Sequence, residues 1–381
     1  MRGLLSLLLA TPLTVGCGDA SNEDKPDDDA ESTADGWGNG GSSGGSGAAA
    51  DSDGSNTDTA SSDTSPSGSC VGDFVILEEA DLIDIGHCRV IDGSLSIGQW
   101  EGPSPEAIDP PDSDDGDEPE EDEDDDGWGD MTGSNVTNLD ALSDLTEVTG
   151  NLGLFQNDEL TSAQLGNLTQ IGGDLQMFRN NALESLRVDR LAAIGERIEI
   201  VDNDGLTSLS IDNLTSSNAV EIHSNSKLTS VELNGTVRIR HVTVAMNASL
   251  TSLSFDSLEE VGAIFVYENP NLTTFELNKL SSVAGTMTLS SNNALTSVHL
   301  SNLTSVGGGD VTIEWEAGES LTITSNHALE SLSLDSLTDI GGHLNINENG
   351  ALCQSIVDAF VDMLEALGWA GATSIDDNAD C

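Results

Sequence analysis

Between residues 136 and 352 the apolar side chains recur in a fixed frame around asparagine. An apolar-x-apolar pair precedes each Asn, and an apolar residue, nearly always Leu, follows it three positions on. The markers are Asn157, Asn180, Asn203, Asn225, Asn247, Asn269, Asn292, Asn326 and Asn349, separated by 23, 23, 22, 22, 22, 23, 34 and 23 residues. A constant period of this length signals stacked repeats. One unit reads Leu175-x-Met177-x-x-Asn180-x-x-Leu183-x-x-Leu186-x-Val188-x-x-Leu191-x-x-Ile194-Gly195. Pairs such as Leu175-x-Met177 have period two, the spacing of a strand with both apolar side chains on one face. Each unit therefore predicts one rung of a coil with about three short sides, every side adding a strand to a growing parallel sheet. The marker Asn is expected to point inward and bond the backbone of its own and adjacent turns. Gly-Gly at 172–173 and at 341–342 is expected to turn a corner through positive φ.

A lone rung cannot offset the roughly 1–2 kcal/mol of backbone entropy lost per ordered residue, so stability has to come from stacking. The two ends then need caps, or their open edges would recruit other chains. Residues 354–367 place Ile356, Val357, Phe360, Met363, Leu364 and Leu367 at the spacing of one helical face, which predicts a helix lying over the last rung.

The stretch Cys88-Arg-Val-Ile-Asp-Gly-Ser-Leu95-Ser-Ile97, continued by Leu139-x-x-Leu142-x-x-Leu145-x-x-Val148-x-Gly150-Asn-Leu152-x-Leu154, resembles the receptor L-domain, a leucine-rich-repeat-like family. Its members include the ligand-binding lobes of insulin- and growth-factor-type receptors and repeats in exported bacterial lipoproteins. The resemblance spans about residues 70–381. It implies an all-β, right-handed parallel β-solenoid with a binding role and no catalytic residues. The stack is longer than a usual single L-domain, and the cysteine-rich modules of the animal receptors are missing.

Charge and composition narrow the function. Sixty-eight acidic against 11 basic residues give a formal charge of −57, which excludes a nucleic-acid partner. Residues 18–69 are rich in Ser, Gly and Asp and read as a disordered acidic tether. A second acidic block, 101–130, reads as a disordered insert after the first rung. Its Asp122-x-Asp124-x-Asp126-Gly127 opens like a calcium loop but lacks the closing Glu and the flanking helices, so a solvated acidic loop is expected. Residues 1–17 carry Arg2 and a short apolar run ending Val15-Gly16-Cys17. This resembles a lipoprotein signal, with Cys17 as the lipidated residue and the cell envelope, outer membrane or cell surface, as the destination. The other four cysteines, Cys70, Cys88, Cys353 and Cys381, leave three connectivities open. Pairing within each end is expected, because a long solenoid holds its ends apart.

Candidate chemistry is sparse. The six histidines lie in different rungs without metal spacing, and no catalytic group, metal or cofactor is expected. Seven Asn-x-Ser/Thr sites occur, four of them Asn-Leu-Thr, and reflect the composition of the repeat. Strand alternation points Phe155, Phe178, Phe265 and Tyr267 outward, where they would form a ligand-binding aromatic patch unless a loop, such as 310–320 with Trp315, covers them. The outward positions of the second strand, including Arg187, Glu232 and Glu276, are polar and read as a solvated face. The expected protein is a non-enzymatic envelope lipoprotein that binds a protein or glycan. The alternative is an envelope scaffold or spacer without a specific ligand.

Overall fold

A computed structural model describes residues 68–101, 130–307 and 319–381. The expected signal segment with Cys17, nearly all of the tether, the body of the acidic block and the insertion with Trp315 lie outside these residues. The described chain is a parallel β-solenoid of about 10 turns. Its main sheet runs rung by rung from Phe74–Ile76 through Leu175–Phe178, Arg197–Val201, Ala219–His223, Arg238–Ala245 and Glu260–Tyr267 to His343–Asn347 and Thr373–Ser374. Two further parallel stacks form the other sides. One runs from Ser69–Val71 to Ala193–Ile194. The other runs from Ser162–Gln164 to Ser252–Ser254 and is continued by Thr274–Glu276 to Ser331–Ser333.

Register is strict. Ile198 pairs with Val220 and Ile200 with Ile222, and these pair in turn with Val242 and Val244. A one-residue slip would turn this apolar column outward. The inward residues form one core that runs from Ile76 to Leu364, most of them fully buried.

All nine predicted asparagines are fully buried and form a continuous ladder. Asn225 shows its logic. Its Nδ2 donates to the carbonyls of Ile200 (2.9 Å) and His223 (2.8 Å) and to Asn247 Oδ1 (3.1 Å). Its Oδ1 accepts from the backbone N–H of Asn203 (3.0 Å) and from Asn203 Nδ2 (3.2 Å). The ladder extends past the predicted set. Ser134 donates its hydroxyl to Asn157 at one end. At the other end Asn378 accepts from the N–H of Asn349 (3.2 Å) and donates to Ile346 O (2.8 Å).

A backbone device accompanies the ladder. The residue before each ladder Asn has positive φ, from Gln156 (49°) through Met246 (54°) and Glu268 (53°) to Asp377 (59°). None of these is glycine, so each rung carries the cost of a left-handed residue, about 1–2 kcal/mol. Glu268→Gly is expected to raise stability by about 0.5–1 kcal/mol, the steric gain less the extra chain entropy. Thermal melting checks it, and a loss of stability would contradict it.

The Gly-Gly corners differ from expectation. Among the described residues none of Gly172, Gly173, Gly341 and Gly342 has positive φ. At the first of these corners close approach between rungs is what requires glycine. A Cβ on Gly172 would stand 2.0 Å from Thr149 O, and one on Gly173 1.9 Å from Asn151 Oδ1.

The ends are capped. Helix α2, Gln354–Ala366, buries Val357, Val361 and Leu364, while Ile356 and Leu367, expected on the buried face, are 41% and 57% exposed. Phe360 and Met363, half-buried, also pack against the core, so the predicted face is in place except at Ile356 and Leu367. Helix α1, Glu79–Ile85, was not anticipated. It sits at the first rungs, burying Leu82 and Ile85, and Asp81 accepts from the N–H groups of Leu77 (2.9 Å) and Glu78 (3.0 Å). Disulfides Cys70–Cys88 and Cys353–Cys381 close one end each, with Cα separations of 5.7 Å and 5.3 Å. Among the described residues no helix is long and apolar enough to cross a membrane.

The Asn-Leu-Thr sites have a structural use. Asn167, Asn213, Asn271 and Asn302 each donate Nδ2 to a backbone carbonyl of the preceding rung. The hydroxyls of Thr169, Thr215 and Thr304 do the same. Exposed corners are thereby tied rung to rung.

Candidate binding face

The outward face of the main sheet carries two rows of side chains. The row between the paired apolar residues is Gly153, Gln176, Glu199, Glu221, Thr243 and Phe265 in successive rungs. The row after the pair is Phe155, Phe178, Val201, His223, Ala245 and Tyr267. All four predicted aromatics point outward, but none is exposed: Phe155 is 5%, Phe178 0%, Phe265 2% and Tyr267 0% exposed. They do not form one patch either. Phe155 and Phe178 pack with Val201 beneath Trp100 and Met131, whereas Phe265 and Tyr267 pack with Ala245, Ala263 and Met246.

The cover of the first group is physical and specific. The strands Gln99–Glu101 and Asp130–Thr132, at the two ends of the acidic block, pair antiparallel. Trp100 reaches Phe178 edge-on, with centroids 5.3 Å apart, and Phe155 at 5.9 Å. Such aromatic packing stabilises by roughly 0.5–1.5 kcal/mol per pair beyond the area it buries. Phe155 and Phe178 are therefore packed beneath this cover and do not form an open aromatic platform. Gly153 makes room for the arrangement, because a Cβ there would lie 2.3 Å from the Phe155 ring.

Between the two aromatic groups lies a cluster that the sequence reading did not single out. Glu199 and Glu221 are register partners on adjacent strands, whose backbones lie about 4.8 Å apart. They are only 2% and 9% exposed. Glu199 is well partnered: Gln176 Nε2 donates to its Oε2 at 2.7 Å and Arg197 Nη1 to its Oε1 at 2.9 Å. Arg197 also lies 3.7 Å from Asp174 Oδ1. Glu221 makes no hydrogen bond or ion pair among the described residues. Burial, together with the neighbouring charge of Glu199, pushes its carboxyl up to about 7, against the smaller opposing pull of Arg197. A carboxyl in such surroundings keeps its proton well above the usual range.

Two histidines flank this pair. His223 follows Glu221 on the same strand, and His241 stands on the next strand with Nε2 2.7 Å from Thr243 Oγ1 and its ring 5.3 Å from that of Phe265. Burial holds both imidazoles down to about 4, so both are neutral at pH 7. The face therefore juxtaposes a proton-holding carboxyl at Glu221, the Glu199 carboxyl clamped by Gln176 and Arg197, and two neutral histidines.

The signal for this cluster was faint in the sequence. Each rung contributes one polar residue at the position between its apolar pair, 22 or 23 residues from the next. Only the alignment of rungs brings Gln176, Glu199, Glu221 and Thr243 into one row. By contrast, the outward positions of the second strand are half-exposed to exposed, as expected of a solvated face.

Two other features carry no site. Cys70, His87 and Cys88 lie close together, but both sulfurs are spent in the disulfide and offer no thiolate to a metal. An open depression of about 470 Å³ is lined by Ile194, Gly195, residues 215–218, Val237 and Arg238. The Arg238 guanidinium there is already paired with Glu260 at 2.9 Å. Compared with family models, with curated proteins and with solved structures, the chain matches none.

Proposed function

We propose that the protein is a non-enzymatic, exported envelope lipoprotein, anchored through Cys17, that captures a protein or glycan on the outward face of its main sheet. The resemblance to receptor L-domains supports the binding role and the lipobox-like Val15-Gly16-Cys17 supports the anchor. The observation that carries the reading is the row Gln176, Glu199, Glu221 and Thr243. Four successive rungs hold polar side chains that are at least nine-tenths buried on an outward surface. A spacer with no ligand needs only a solvated outer face, such as the one the second strand presents. Burying a polar group is costly unless it is hydrogen-bonded, and in this row Gln176, Glu199 and Thr243 are bonded while Glu221 makes no hydrogen bond or ion pair among the described residues.

Arrays of glycans and peptides probed with the full chain test this. Capture is expected, and Thr243→Arg, which places a long side chain at the end of the row beside Glu221, is expected to abolish it with the circular dichroism unchanged. Failure to retain any ligand would favour the scaffold alternative. Protease shaving of intact and lysed cells tests the location. Removal of the solenoid from intact cells is expected for surface display, and protection until lysis would mean a periplasmic face.

A further inference from the structure

The contrast between Glu199 and Glu221 carries more than a general binding role. Glu199 has a cation supplied by its own strand, Arg197, two residues back. In the next rung the register partner of Arg197 is Ala219. Glu221 therefore occupies the same place as Glu199 with its cation replaced by a methyl group. The Glu221 residue is nine-tenths buried, its carboxyl oxygens reach the surface without a hydrogen bond or ion pair among the described residues, and a short side chain stands where a guanidinium would be. The groups that face it are Glu199 and Arg197 on one neighbouring strand, with Asp174 beyond, His223 on its own strand, and His241 and Thr243 on the other. Both histidines are neutral at pH 7, and Arg197 is engaged by Glu199 and Asp174.

We infer that Glu221 is the seat for a cationic group, a lysine or arginine side chain on a protein partner, which enters over Ala219 and completes the ion pair that the chain itself leaves open. This rests on the reading of the outward face as a capture surface and names the chemistry of its ligand. A metal ion fits less well. Calcium and magnesium need six or more oxygen ligands, whereas here one carboxyl is free and its neighbour is already bonded. Among the described residues no group of three metal-ligating side chains gathers at this face. The formal charge of −57 favours encounter with a basic partner from a distance, and the single seat would give that encounter a register.

Binding is coupled to a proton. Free Glu221 holds its proton up to about pH 7, and an incoming cation displaces it to solvent. Affinity should therefore rise with pH until the carboxyl is ionised in the free protein as well. The test uses the full chain at near-physiological salt, which screens diffuse attraction to the acidic surface. The probe is a fluorescent peptide of repeated Gly-Ser-Lys, with its Nε-acetylated form as control. Binding at pH 8 is expected to be about tenfold tighter for the wild type than for Glu221→Gln. The gap should close by about pH 5.5, and the acetylated peptide should not bind. Glu221→Asp, which keeps a carboxylate at the site, should retain part of the affinity. Equal affinity of wild type and Glu221→Gln at pH 8 would overturn the inference, since it would show attraction to the acidic surface alone. No binding of the lysine peptide would also overturn it. If neutral glycans or peptides are still captured on a Thr243-dependent face, the capture reading survives that loss; if nothing is captured, both fail together.

Discussion

Asn225→Ala should unfold at markedly lower denaturant than the wild type, with a loss of roughly 3 kcal/mol or more. Five hydrogen bonds end on this side chain; removing it strands the buried N–H of Asn203 and takes a donor from Ile200 O and from His223 O, which keeps the N–H of Asp202 at 3.3 Å. Each orphaned group costs about 1–3 kcal/mol. Water cannot readily repair the gap, because Asn203, Asn225 and Asn247 are all fully buried. Asn225→Asp should be nearly as damaging, since an ionised carboxylate cannot donate to the two carbonyls. Chemical denaturation measures both. A midpoint within error of the wild type would show that the ladder contributes nothing to stability.

Glu221→Gln should stabilise the protein at alkaline pH and leave it unchanged in acid. The sign follows from the raised carboxyl, which lies at about 7 in the fold against 4.5 for the ordinary group. Below pH 4.5 it is protonated in both folded and unfolded chains and costs nothing. Between pH 4.5 and 7 only the unfolded chain ionises it, so wild-type stability falls as pH rises. Above pH 7 both states are ionised and the deficit is complete, at about 3 kcal/mol for a shift of this size. His223 and His241 act in the opposite sense. Held down to about 4, they favour the fold above pH 6.5 and withdraw that support as pH falls towards 4. The wild-type profile alone therefore mixes two trends, and the difference between wild type and Glu221→Gln isolates the carboxyl. Melting curves at pH 4.5 and 8 read it directly. A constant difference at both pH values would contradict the account.

The parts of this fold that were legible in the sequence are those that repeat. Each ladder Asn stands in the same frame, so nine could be placed from spacing alone. Asn378 escaped because its rung lacks the frame: Thr373 replaces the first apolar residue and Cys381 stands where Leu would follow. Helix α1 escaped because seven residues with two buried positions are too short to show a helical period. For Phe155, Phe178, Phe265 and Tyr267 alternation gave the right direction but not the exposure. Trp100 and Met131 pack over Phe155 and Phe178 from far away in sequence, and local alternation carries no information about such a cover. The Glu199 and Glu221 pair was hidden for a related reason. One acidic residue per rung looks like a solvated strand until stacking sets the two side by side and burial raises the Glu221 carboxyl.

The most direct test of the account is the ionisation of Glu221 itself. The carboxyl carbon of Glu221, labelled with carbon-13 and assigned by its absence in Glu221→Gln, can be followed by NMR from pH 3 to pH 9. A midpoint near 7 is the expected result, and it would establish a buried carboxyl without a partner on the outward sheet face. A midpoint near 4.5 would mean that water or a neighbouring cation already satisfies the group, and neither the pH-dependent stability nor the seat for a basic side chain would stand.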